Sequence, residues 1–168
     1  DIEYFKNINC TVKLIAAGKK YEDKYCAVVE PVIFKNERIE AAVPQNFNIG
    51  TIYGKTIGEL KFYGQGAGKL PTGNAIVQDI IDIIEAKGKL KERKSEKKLT
   101  KDSSLVSGKY YVRINNEEFE KENSDIIERK LENSGNLIYI TKKIDCYTMR
   151  KTAEKYIKEG IFYARFED

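Results

Sequence analysis

The sequence predicts a mixed α+β fold. Three observations carry this: short runs rich in Val, Ile, Tyr and Phe, helical repeats of apolar residues between them, and glycine-bearing breaks at most joins. With 168 residues, 41% of them hydrophobic, the chain holds enough apolar side chains for one ordinary domain or two small ones.

Residues 1–8 read as the end of a helix in which Ile2 and Phe5 share an apolar face, so the chain is expected to start inside a larger protein. Residues 11–17 and 25–34 follow as two strands joined by the polar turn GKKYEDK, and an antiparallel pair is expected. Pro31 has no N–H to give a ladder, which confines the second strand near its end to an edge or a bulge. Pro44, Asn46, Asn48 and Gly50 interrupt any strict period, and residues 51–53 and 58–63 read as two short strands around a turn at 54–56. Directly after ELKFY come Gly64, Gly66 and Gly68, then Pro71, Thr72 and a run in which Ile76, Ile80, Ile83 and Ile84 recur at helical spacing. Thr72 is the expected N-cap and Gly88 the expected stop.

A second unit begins with Tyr110, Val112 and Ile114 alternating as a strand. A helix is expected over residues 118–132 with Phe119, Ile126, Ile127 and Leu131 inward, then a strand over 137–141. Met149, Ala153, Tyr156 and Ile157 define a second helix over 146–159, Gly160 breaks it, and residues 161–166 form the last strand. The expected order is β-α-β-α-β. The chain thus divides into residues 1–90, a basic linker over 91–108, and a small domain over 109–168.

Composition removes several classes of function. There is no histidine, which excludes Ser-His and Cys-His hydrolase schemes within this chain and leaves proton transfer to Lys, Tyr, Asp or Glu. Cys10, Cys26 and Cys146 are widely spaced without a CxxC pair, so no metal site is expected and the three read as reduced thiols. No apolar stretch is long enough for a membrane span and no signal-peptide order opens the chain, so a cytoplasmic protein with no membrane partner is expected. Residues 87–101 carry a local charge of +6 within a total of +4, so the remainder is two units acidic. That run has no aromatic residue for base stacking, and it reads as a solvated helix end and linker with no nucleic-acid partner.

A glycine-rich turn between strand and helix exposes backbone N–H groups beside the positive end of the helix dipole, where an anion or cofactor can lie close to the main chain. The spacing fails GxGxxG, because Lys69 stands where the third glycine belongs, and it fails the Walker A loop as well. Glycines alone are therefore a weak signal, open to a plain tight turn or to an anion-binding α/β domain.

The longer string FYGQGAGKLPTGNAIVQDIIDII, residues 62–84, resembles the homoserine dehydrogenase family, whose substrate domain ends in a pattern of the form FYGxGAGxxPTxxAVxxDxxDI. Upstream, DIEYFKNINCTVKLIAAGKK resembles that family's helix and strand leading from the catalytic centre, and CAVVEPVIF its next strand. Residues 38–45 depart from the family's usual His-Pro-Leu-Ala and Val-Asn-Gly stretches, keeping Val43 and the later Phe47 and Asn48.

The resemblance implies an NAD(P)-dependent oxidoreductase interconverting L-homoserine and L-aspartate 4-semialdehyde, on the route to threonine, methionine and isoleucine. It implies that residues 1–90 are the C-terminal part of the catalytic and dimerisation domain, with Gly64, Gly66 and Gly68 as backbone contacts on the nicotinamide side of the cleft and Thr72 supporting the turn. The family's Rossmann fingerprint, catalytic lysines and substrate-binding acids precede the region matched by Asp1. The chain alone is therefore expected to hold no catalytic residue, to bind no cofactor and to be inactive, with an N-terminal Rossmann domain of the same protein and a homodimer as partners. Residues 109–168 resemble a shortened ACT domain with one strand missing, and the loop at Asn115, Asn116, Glu117 and Glu118 lacks that domain's usual Pro-Gly turn. A non-catalytic regulatory or dimerisation module sensing an amino acid is the alternative reading.

Overall fold

The computed structural model describes residues 1–85, 98–133 and 135–167. The elements in chain order are α1 (Ile2–Asn7), β1 (Cys10–Tyr21), β2 (Lys24–Lys35), β3 (Phe47–Gly54), β4 (Gly58–Gln65) and α2 (Lys69–Ile84). Then come β5 (Thr100–Lys101), β6 (Ser107–Gly108), β7 (Tyr110–Arg113), α3 (Glu117–Glu122), β8 (Ile127–Asn133), β9 (Asn136–Thr141), β10 (Ile144–Asp145), α4 (Cys146–Glu154) and β11 (Phe162–Phe166). Gly88 and most of the basic run, expected as a helix stop and linker, lie outside the described residues.

Two compact units result, one of Asp1–Ala41 with Lys97–Asp168 and the other of Ala42–Glu96. The larger is built on a seven-stranded sheet in the order β1-β2-β11-β7-β9-β8, with β5 beside β2. β1 and β2 pair antiparallel over their full lengths, from Cys10↔Lys35 to Tyr21↔Lys24, as the two apolar runs predict. Pro31 faces Leu14 of β1 and falls between Lys24–Tyr25, which pair with β5, and Val32–Ile33, which pair with β11. At Pro31 itself the ladders name only β1, and this is where a missing N–H costs least.

Alternation decides how the sheet is covered. Tyr110, Val112 and Ile114 lie on one face with Tyr139, packed under Phe119 of α3 and Met149, Ala153 and Tyr156 of the α4 region. Tyr111, Ile138, Ile140 and Ala164 lie on the other with Ile33, under Phe5 of α1. Tyr110, Tyr111, Tyr139 and Phe119 are essentially fully buried, so four aromatic rings form the centre of the unit. Tyr111 Oη spends its hydroxyl on the Asp1 carboxylate at 2.8 Å.

Three expectations need correction here. The helix read over 118–132 ends at Glu122, because Asn123 turns its side-chain amide onto the Phe119 carbonyl at 2.8 Å and the chain leaves the helix. Residues 127–133 then form β8, the strand thought missing, paired with β9 from Ile127↔Thr141 to Asn133↔Asn136. The unit is therefore β-α-β-β-α-β in the order β11-β7-β9-β8, the ferredoxin-like arrangement. Ile157, expected inward, is 65% exposed because α4 ends at Glu154 and a short 3-10 turn rotates it out. Lastly, the sequence places a divide at 91–108, whereas β11 pairs in parallel with β2 through Arg165↔Val32 and Phe166↔Ile33. Residues 1–41 thus share a sheet with the ferredoxin-like strands, and Ala42–Glu96 is the separate unit. β11 is the edge of the ferredoxin-like strands taken by themselves, and nothing in its own sequence names β2 as the strand that pairs with that edge.

Candidate functional site

The smaller unit is the β3–β4 hairpin followed by the glycine loop and α2. β3 and β4 pair from Phe47↔Gln65 to Gly54↔Gly58, and Phe47 stacks on Tyr63 with ring centroids 5.1 Å apart. This register brings the end of β4 back beside the residues that precede β3. There Asn46 holds the loop at two points: its carbonyl accepts from the Gly66 N–H at 3.0 Å, and its side-chain amide donates to the Ala67 carbonyl at 3.1 Å.

The three glycines have different reasons to be glycine. Gly68, the residue before α2, has φ 120°, a conformation closed to ordinary L-residues. A Cβ on Gly66 would collide with the side-chain amide of Asn48. Gly64 has nothing within 4 Å of where a Cβ would stand, so the main chain there is open to approach. Thr72 is corrected as a cap: α2 begins at Lys69, Gly68 occupies the N-cap, and the Thr72 N–H bonds to the Gly68 carbonyl at 3.1 Å inside the first turn. Pro71 allows the early start, because the N–H it lacks would have no helical partner at that position.

No acidic residue stands in the first turn of α2, so nothing there neutralises the positive end of its dipole. Asn46 and Asn48 escape the sequence reading because they work across the hairpin, and only the strand register places them against residues 66–68. Among the described residues no group of three or more His, Cys, Asp or Glu side chains is arranged to hold a metal ion. None of the described helices is long and apolar enough to cross a membrane.

In the larger unit, the loop before α3 is tied down by its own asparagines. Asn115 Oδ1 accepts from the Leu137 N–H at 2.9 Å, and Asn116 Oδ1 caps α3 through the Glu118 N–H at 2.7 Å.

The sequence profile of the homoserine dehydrogenases matches residues 1–81, the stretch that carries α1, the β1–β2 pair, the hairpin and the glycine loop. Through these residues, just under half of the chain, the sequence is similar to the homoserine dehydrogenase family. The homoserine dehydrogenase of Helicobacter pylori is 36% identical over 90 residues, which are 54% of this chain and 21% of that protein. That of Bacillus subtilis is 33% identical over 85 residues, 51% of this chain and 20% of that protein. The chain thus spans about a fifth of the length of these curated relatives. The crystal structure of a homoserine dehydrogenase from Thiobacillus denitrificans superposes with a TM-score of 0.69 over the whole chain and 45% of its own, at 18% identity. That likeness speaks for the fold, and it takes in the ferredoxin-like strands that lie beyond the profile match.

Proposed function

We propose that this chain works as the C-terminal portion of an NAD(P)-dependent homoserine dehydrogenase, interconverting L-homoserine and L-aspartate 4-semialdehyde on the route to threonine, methionine and isoleucine. The observation that carries the reading is the loop at Gly64, Gly66 and Gly68, with one glycine open to approach and two fixed by the fold, inside the segment that is similar to the family. The nicotinamide, when bound, takes or gives the hydride. The chain's own part is to offer backbone at Gly64 to Gly68 as one wall of the cleft, with Thr72 inside the first turn behind it. Lysines and carboxylates that act on substrate are expected on an N-terminal Rossmann domain of the same cytoplasmic protein, and a homodimer is the expected assembly.

The test joins residues 1–168 to the upstream half of a homoserine dehydrogenase and follows NAD(P)H as homoserine is oxidised. Activity should appear only in the joined protein, and Gly64→Val should raise KM for the cofactor with little change in KM for homoserine. Turnover by residues 1–168 alone, or an unchanged cofactor KM in Gly64→Val, would sink the assignment.

The complete β-α-β-β-α-β order favours a second role for residues 109–168, as an ACT-like unit that senses an amino acid. Equilibrium dialysis against threonine tests it, and no binding at millimolar concentration removes the sensor.

A further inference from the structure

Within the larger unit a cavity of about 550 Å³ opens between β2 and α4, and Cys26, Glu30, Lys101, Cys146, Arg150 and Tyr163 are among the residues that line it. Two of the chain's three cysteines meet on the wall of this cavity. Cys26 sits on β2 and is 2% exposed, Cys146 is the first residue of α4 and is partly exposed, and their Sγ atoms are 3.7 Å apart although 120 residues separate them in sequence. Both are free thiols, and no disulfide restrains either. A disulfide needs about 2.05 Å between sulfurs, so closure requires an approach of about 1.7 Å. Cys146 Sγ also meets the Ser103 carbonyl at a loose 3.8 Å, which does little to hold the side chain in its present rotamer.

We propose that Cys26 and Cys146 form a reversible dithiol–disulfide site, oxidised by a low-molecular-weight disulfide of the glutathione class that enters through this cavity. Cys146 reacts first because it is the less buried of the two residues. Its thiol loses a proton to solvent, the thiolate attacks one sulfur of the small disulfide, and one small thiolate leaves and takes up a proton. The mixed disulfide occupies the cavity, whose volume lies within the range of small-molecule sites. Cys26 then attacks Cys146 Sγ and expels the second small thiolate, which takes up the proton that Cys26 gives up. Two protein thiols are oxidised to one disulfide, and one small disulfide is reduced to two thiols.

Burial, with Cys26 alongside, pushes the Cys146 thiol up to about 11, so its thiolate is scarce at neutral pH and closure is slow there. Glu30 and Asp145 act in the same direction as negative neighbours, while Lys101 and Arg150 are the cationic residues of the cavity wall. Once formed, the bond would tie β2, within the family-matched segment, to the helix of the ferredoxin-like half. It would also close a very long loop, the case in which a crosslink most restricts the unfolded chain.

The test equilibrates the full chain with mixtures of reduced and oxidised glutathione, traps free thiols by alkylation, and maps peptides by mass spectrometry. The expected result is a single intramolecular Cys26–Cys146 link, reversed by dithiothreitol and raising Tm, with Cys10 remaining free as an internal control. Cys26→Ser should stop at a glutathione adduct on Cys146, and Cys26→Ala repeats the measurement should the serine unsettle the core. A link that forms only in denaturant, a link that involves Cys10, or adducts in the native protein without ring closure would each overturn the proposal. None of these outcomes depends on whether the parent protein is a dehydrogenase.

Discussion

A residue's backbone angle sets what it can be replaced by, and the three loop glycines should separate on that ground. Gly68→Ala forces an L-residue into φ 120° and is expected to cost about 1–3 kcal/mol, read as lost hydrogen-exchange protection in β3 and β4. Gly66→Ala should also destabilise, because the new methyl meets the Asn48 side chain from its amide down to its Cβ, and a rotamer change relieves only the outer part of that collision. Gly64→Ala should be neutral or slightly stabilising, since it lies in a strand with open space around it. Equal losses at Gly64 and Gly68 would contradict this account. Asp102 gives a pH prediction at the same scale. The Lys24 ammonium 2.8 Å away, helped by donors from Ser104, holds its carboxyl down at about 2. A depressed carboxylate stabilises fully above its ordinary value of 3.8 and loses that contribution as pH falls toward 2. Asp102→Asn should therefore flatten the acid limb of a Tm-against-pH curve between those values, and only modestly, because the pair is exposed.

At the scale of elements, legibility follows the strength of the local period. The β1–β2 pair and α2 are legible because a run of strand-forming residues or a repeat of isoleucines marks each, and the β3–β4 hairpin is legible only in part, since Asn48 and Gly50 hide the start of β3. β8 is not legible: Ile127, Glu128, Arg129, Lys130 and Leu131 suit a helix by propensity, and pairing with β9 overrides it. The charged run also suits an edge strand, which β8 is in the sheet order. One local sign was available, the Ser134–Gly135 pair between the two runs, and Gly135 does take φ 76°. Gly135→Val places a β-branched residue in that conformation and is expected to destabilise the β8–β9 hairpin by about 1–3 kcal/mol. Exchange protection lost first at Lys130↔Tyr139 and Leu131↔Ile138 would bear this out, and an unchanged pattern would count against the hairpin. The candidate site divides in the same way. Its glycine string was legible as a contiguous motif, while Asn46 and Asn48 act through a register that no single segment contains.

At the scale of the molecule, the joining of residues 1–41 to the ferredoxin-like half rests on a buried charge as well as on strand pairing. Glu30 of β2 is 4% exposed and accepts from Arg165 Nε of β11 at 2.6 Å and from Tyr110 Oη of β7 at 3.1 Å. Arg165 also reaches Glu167 at 3.0 Å, and burial followed by the Glu30 charge pushes the Tyr110 hydroxyl far above its ordinary range. Two ions taken out of water at this joint are held by each other, so removing one strands the other. Arg165→Met should cost about 3–5 kcal/mol, because it leaves a buried carboxylate with a tyrosine hydroxyl as its remaining donor here. Adding Glu30→Leu removes the stranded charge and should return much of the loss, so the two changes are strongly non-additive. Urea denaturation of the two single variants and the double variant measures the coupling. Additive losses would mean that the joint is held by strand pairing and apolar contact alone.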